Sequence, residues 1–155
     1  MALSKDSNAP DFNILNQNDE TNTLDTYKGK WLILYFYPKD NTPGCTTEAI
    51  DFTGLKPEFD KLNAVVVGVS PDSPKTHRNF IAKKELDVVL LSDPEKETCK
   101  AYEAWALKKM YGKEYWGVLR STFLISPEGL VKDVWSGVKV KGHANEVLEK
   151  LKENV

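Results

Sequence analysis

Seven consecutive residues, Trp31-Leu32-Ile33-Leu34-Tyr35-Phe36-Tyr37, are apolar or aromatic without a break, so the segment has no face to turn to water. A run of that length and composition reads as a central strand covered on both sides. Pro38 ends it, because proline has no N–H to give to a sheet ladder. Ala64–Val69 is a second such run, closed by Ser70-Pro71-Asp72. Between the two, Leu55, Phe59 and Leu62 follow helical spacing, while Gly54 and Pro57 interrupt it. The pattern predicts a kinked helix or two consecutive ones. Strand, helix, strand implies a right-handed crossover between parallel strands.

The flanking segments complete an α/β domain. Asp11–Leu15 and Thr21–Leu24 form a hairpin across the turn Asn16-Gln17-Asn18-Asp19. Ser73–Leu86 reads as a helix with Ser73 as N-cap and Pro74 in the first position. Val88–Leu91 is a short strand, followed by an acidic helix start at Asp93-Pro94-Glu95 and a helix-like stretch Glu95–Tyr102. Tyr111-Gly112-Lys113 reads as a loop. Arg120–Ile125 and Leu130–Ser136 are strands joined by the turn Ser126-Pro127-Glu128-Gly129. A last amphipathic helix, Asn145–Lys152, points Val147, Leu148 and Leu151 inward.

At 155 residues the chain has the length of one domain, and 41% hydrophobic with 28% charged residues is ordinary for a globular protein. Disordered, collagenous and coiled-coil chains are excluded. A net charge of −2 leaves no basic surplus for a dedicated nucleic-acid or membrane-surface binder. The N-terminus becomes charged before an apolar leader forms, and Trp31–Pro38 is far too short to span a bilayer. Two cysteines, Cys45 and Cys99, without a C-x-x-C and without ligand-like spacing to His77 or His143, make neither a disulfide framework nor a zinc site. A cytosolic protein with reduced thiols is the expectation.

The chemistry concentrates in Tyr37-Pro38-Lys39-Asp40-Asn41-Thr42-Pro43-Gly44-Cys45-Thr46-Thr47-Glu48. Thr42 suits an N-cap and Pro43 the first helical position, which puts Cys45 in the first turn of a helix at the C-terminal end of a parallel strand. Open α/β sheets carry their reactive crevices at that end. The unpaired N–H groups and partial positive charge there favour a thiolate over a thiol. Cys45 is therefore a candidate nucleophile; the plainer reading of a lone cysteine is a small core residue.

The string Pro38-x-x-x-Thr42-x-x-Cys45 resembles the active-site signature of the peroxiredoxins. The wider match, from Phe36 to Glu48 and on through Gly68-Val69-Ser70, Leu90-Leu91-Ser92-Asp93, Arg120-Ser121-Thr122-Phe123-Leu124-Ile125 and Gly142-His143-Ala144, is similar to their bacterioferritin comigratory protein or peroxiredoxin Q branch. The resemblance implies a thioredoxin-like fold, with a central mixed sheet flanked by helices and an N-terminal hairpin, in one domain over residues 1–155. It implies a thiol peroxidase acting on hydrogen peroxide and organic hydroperoxides, regenerated by thioredoxin or by glutathione and glutaredoxin, with no metal or organic cofactor, and a monomer or weak dimer. Cys45 matches the peroxidatic cysteine, Thr42 the threonine that hydrogen-bonds the attacking system, Arg120 the arginine that holds the thiolate and polarises the peroxide, and Pro38 the proline that shields the pocket. Fixed cations and N–H donors suit a displacement that builds negative charge on the departing oxygen.

Several neighbours have plainer readings. Arg120 alone would pass for a surface strand residue and Thr42 for a cap. Glu48 is expected in the first helical turn, with at most a supporting role. His143 reads as a helix-start residue, His77 as solvent-facing, and Trp31, Trp105, Trp116 and Trp135 as core packing. The chain departs from the family pattern at Ile50, where many members of the branch carry a resolving cysteine, and in the helix Ser73–Leu86, where others do. Cys99 is the one remaining candidate for that role. A one-cysteine cycle is expected, with a disulfide relay to a partner protein and a Cys45–Cys99 cycle as alternatives.

Overall fold

The computed structural model describes residues 3–155. Strands β1 (Asn13–Asn16) and β2 (Thr21–Thr23) lead through a 3-10 turn (Leu24–Tyr27) to β3 (Trp31–Phe36). Then come helices α1 (Pro43–Gly54) and α2 (Lys56–Lys61), β4 (Ala64–Ser70), α3 (Pro74–Lys84), β5 (Val89–Ser92) and α4 (Glu97–Ala101). Strands β6 (Trp105–Met110), β7 (Lys113–Val118), β8 (Ser121–Ile125) and β9 (Val131–Ser136) precede α5 (His143–Asn154).

Seven strands form one mixed sheet in the order β2-β1-β5-β4-β3-β8-β9. The β3–β4 and β4–β5 pairs are parallel and the remaining pairs antiparallel. The thioredoxin-like mixed sheet, the N-terminal hairpin and the β8–β9 hairpin are thus as expected. The interrupted helix is two helices. Pro57 lacks a donor and is accommodated in the first turn of α2, where an N–H would have no partner anyway.

Because neighbouring residues of β3 point to opposite faces, the strand feeds two cores. Ile33 and Tyr35 pack with Cys45, Ala49 and Phe52 of α1, Phe80 of α3, and Val147, Leu148 and Leu151 of α5. Leu32, Leu34 and Phe36 pack on the other face with Phe12, Tyr27, Cys99, Tyr102 and Phe123. Gly68 on β4 lies opposite Tyr35 in register, and a Cβ there would sit 2.7 Å from the tyrosine ring. The missing side chain makes room for the ring.

Three expectations need correction and one is incomplete. The loop at Tyr111-Gly112 is present, as the tip of an antiparallel ribbon, β6–β7, with φ of 53° and 77° at the two turn residues. Mirror-image turns of this kind match strand twist, but the flanking residues mix lysine with apolar side chains on both faces, so no alternation announces the strands. Of the tryptophans, Trp31, Trp105 and Trp135 pack half-buried against the core as expected, but Trp116 is 61% exposed. Glu48 sits in the second turn of α1 and is buried. His77 is fully buried.

Candidate active site

At the C-terminal end of β3, Tyr37 is still buried, and the chain then turns through Pro38–Asn41 into α1. Thr42 holds the N-cap position with extended backbone, Pro43 opens the helix, and Cys45 is its third residue. The Thr42 hydroxyl does not cap: it donates to the Lys39 carbonyl at 2.8 Å, tightening the loop. That leaves its oxygen free to accept.

Arg120 reaches the same place from the neighbouring strand of the sheet. The antiparallel register sets Ser121 opposite Phe36, so the residue before β8 lies beside the end of β3. Its guanidinium is a two-armed clamp: Nη2 donates to Cys45 Sγ at 3.2 Å, and Nη1 donates to Glu48 Oε1 at 2.7 Å. Cys45 and Glu48 are three residues apart on one helix, hence on the same face. Gly44 lies under the clamp, where a Cβ would stand 3.3 Å from Nη2. Cys45 and Glu48 are each 1% exposed.

Burial drives the electrostatics. It pushes the Glu48 carboxyl up to about 7, against the pull of Arg120. Glu48 Oε2 and the Tyr35 hydroxyl are buried without partners among the described residues. Burial works against the charge on Arg120, but Glu48 and Cys45 outweigh it and hold the guanidinium charged. Lys108 of β6 is lowered by partial burial and by Arg120, with Cys45 acting in the opposite sense.

Pro38 and Thr42 line a groove of about 460 Å³, whose other wall is the β6–β7 ribbon through Trp105, Lys108, Met110 and Tyr115. Arg120 and Cys45 are thus in contact, while Pro38 and Thr42, in the segment that leads into α1, line the groove. Nothing in the sequence singles out Lys108, because the ribbon that carries it has no pattern to announce it.

Cys99 is elsewhere. It lies in α4 on the opposite face of the sheet from Cys45, with its backbone N–H donating to Asp93 Oδ2 at 2.8 Å. Burial and the Asp93 charge push its thiol well above the ordinary range. His143 is the first residue of α5, as its helix-start reading requires, with Nε2 2.8 Å from Thr122 Oγ1.

The AhpC/TSA family profile matches residues 6–134. The chain belongs to that family. Within it, the chain is 48% identical to peroxiredoxin Bcp of Bacillus subtilis over 153 residues, covering 99% of this chain and 98% of that one. The structure of the Xanthomonas campestris bacterioferritin comigratory protein superposes with a TM-score of 0.88 at 48% identity, covering 92% of this chain and 91% of that one. Xylella fastidiosa PrxQ superposes with a TM-score of 0.94 at 41% identity, covering 99% and 98%. These AhpC/TSA relatives match the branch to which the Phe36–Glu48 string points. Among the described residues, no helix is long and apolar enough to cross a membrane.

Proposed function

We propose that the chain is a peroxiredoxin, a thiol peroxidase that uses Cys45 as its peroxidatic nucleophile and is regenerated by an external thiol. The single observation that carries the reading is the Arg120 guanidinium on Cys45 Sγ at the start of a helix. A cation and unpaired N–H groups both favour a thiolate there. The X. campestris relative has been studied structurally for alkyl peroxide reduction, which fits a substrate range from hydrogen peroxide to organic hydroperoxides.

In the reaction, the Cys45 thiolate attacks the terminal peroxide oxygen. An S–O bond forms, the O–O bond breaks, and the departing oxygen leaves as water or an alcohol after taking a proton. Arg120 stabilises the negative charge that builds between sulfur and the two oxygens. Thr42, whose own hydrogen is engaged by Lys39, accepts from the peroxide hydroxyl. Pro38 excludes water from the groove. The sulfenic acid condenses with one outside thiol to a mixed disulfide, releasing water, and a second thiol frees Cys45. Thioredoxin or a glutathione system suits this step, so the cycle belongs in a reducing compartment such as the cytosol.

The test is the intact mass of reduced protein after one equivalent of hydrogen peroxide, with a sulfenic-acid trap. An adduct on Cys45, absent from Cys45→Ser, is expected. Peroxide turnover retained by folded Cys45→Ser would overturn the assignment.

A further inference from the structure

Behind the site, on the side away from Arg120, lies a buried polar network that the reaction above does not use. The loop leading to α1 alternates: Lys39 and Asn41 are exposed, while Asp40 between them is 4% exposed with its carboxylate turned inward. Asp40 Oδ1 accepts from the Tyr37 hydroxyl at 2.7 Å. Oδ2 lies 2.7 Å from His77 Nδ1, at the inner face of α3. His77 Nε2 is 3.0 Å from the Leu91 carbonyl of β5. A carbonyl oxygen only accepts, so Nε2 carries hydrogen, and a single proton bridges Nδ1 and Asp40. The Asp40 backbone N–H donates to Asp72 Oδ2 at 2.8 Å, and the same oxygen accepts from Ser70 Oγ at 2.7 Å.

Asp40, Asp72 and His77 bring metal-ligating atoms together, but those atoms are engaged with one another and with the backbone. What the network does is tie down a loop. It fastens Asp40 to the end of β3, the β4–α3 connection, α3 and β5. A buried carboxylate and imidazole are costly unless each satisfies the other. An apolar residue at position 40 would fill the space without setting a direction.

The direction matters because Asp40 is the last buried residue before the helix. Asn41 follows in the left-handed region with φ of 66°, a conformation in which a short amide side chain is tolerated, and Thr42 is the N-cap. The orientation of the first turn of α1, and with it the 3.2 Å contact from Arg120 to Cys45, is therefore set from two sides. Arg120 and Glu48 hold the front, and Asp40 with His77 holds the back.

We infer that Asp40 and His77 are positioning residues for Cys45, locking the start of α1 so that the sulfur stays under the Arg120 guanidinium. The inference rests on Cys45 being the reactive thiol. Neither residue has a contact with Cys45 in the structure; both act through the loop. Sub-ångström misplacement of a reacting group is enough to slow chemistry by about ten- to a hundred-fold.

The experiment uses His77→Gln, Asp40→Asn, the double variant and Tyr37→Phe, all in a Cys99→Ala background so that Cys45 is the sole thiol. Three readouts are taken: the rate of Cys45 oxidation by hydrogen peroxide, the rate of its alkylation by iodoacetamide, and its thiolate ultraviolet absorbance against pH. Folded His77→Gln and Asp40→Asn are expected to oxidise about ten- to a hundred-fold more slowly. Their thiolate signal should appear at higher pH, and the double variant should be no worse than the singles, because the two residues act as a unit. Tyr37→Phe removes the one hydroxyl that donates to Asp40 Oδ1, leaves the Asp40–His77 pair in place, and is expected to show a smaller change in the same direction. Folded variants that match the parent in all three readouts overturn the inference. If the two charge-pair variants do not fold, Tyr37→Phe decides: slower supports the inference, and unchanged overturns it. Alkylation and thiolate absorbance need no peroxide chemistry, so a protein that fails as a peroxidase still reports on positioning.

Discussion

Cys45 and Cys99 lie on opposite faces of the same sheet. Cys45 packs with Ile33 and Tyr35, and Cys99 with Leu32, Leu34 and Phe36, so the body of β3 stands between the two thiols. A disulfide needs its Cα atoms within about 7 Å. Joining these two would require α1 or α4 to leave its core and pass an edge of the sheet. The geometry favours a cycle closed by an outside thiol. Cys99→Ala is accordingly expected to leave steady-state peroxide turnover with an external thiol unchanged, while lowering stability by about 1 kcal/mol for a buried sulfur lost from a packed site. Turnover and denaturant midpoints measure the two effects separately. Loss of two hydrogens within one chain on oxidation, without a trapped adduct, would refute the one-cysteine cycle.

Arg120 contributes through its shape as well as its charge. One nitrogen serves Cys45 and another Glu48, a fork that an ammonium cannot reproduce. Arg120→Lys is expected to react with peroxide about a hundred- to a thousand-fold more slowly, the usual scale for removing an aligned donor from a developing negative charge. Stopped-flow oxidation of the reduced variant measures this. A loss of less than about threefold would mean that charge alone suffices.

How much of this is legible without the structure depends on how local the signal is. The β3 and β4 runs are apolar on both faces, which leaves a buried parallel pair as their natural arrangement. Pro57 and Gly54 break the helix where the chain breaks it. The turn Ser126–Gly129 marks its hairpin through local backbone chemistry. Cys45 is legible because cap, proline and cysteine sit within four consecutive residues. Non-local relations are not legible this way. The insertion of β1 between β2 and β5 depends on an edge formed far along the chain. His77 looks solvent-facing because its partner Asp40 is 37 residues away, and Glu48 looks like a first-turn helix acid until Arg120, just before β8, reaches it. The β6–β7 ribbon exposes Leu107 and Trp116 on one face and carries Lys108 on the other, so it lacks the one-sided burial that produces alternation.

Gly44 gives a test in which stability and rate separate. In the first turn of α1, alanine gains up to about 1 kcal/mol of helix propensity over glycine. The new Cβ would press on Arg120 Nη2 from 3.3 Å, and the guanidinium is pinned by Glu48 and Cys45, so it gives way only by loosening one of them. Gly44→Ala is expected to be as stable as the parent or more so, and to oxidise several-fold more slowly. Thermal melts with stopped-flow rates on one preparation read both. A variant as fast as the parent would show that Arg120 has slack.

Glu48 is expected to make both stability and reactivity depend on pH near neutrality. The unfolded chain releases this proton near 4.5 and the folded chain near 7, because burial disfavours the carboxylate more than Arg120 favours it. Since the folded state holds the proton more tightly, the contribution of Glu48 to stability is complete below pH 4.5 and is lost as pH rises through about 7. Glutamine stands in for the protonated acid and does not titrate. The stability of Glu48→Gln relative to the parent should therefore rise over that interval, by about 3 kcal/mol if the whole shift is expressed. In the rate of Cys45 oxidation, the parent should show an inflection near 7 as ionised Glu48 draws the Arg120 clamp tight. Glu48→Gln should lose that inflection. Denaturant titrations across the pH range, paired with the pH–rate profiles, measure both. Parallel stability curves for the two proteins would mean that Glu48 releases its proton at the same pH in the folded and unfolded chain.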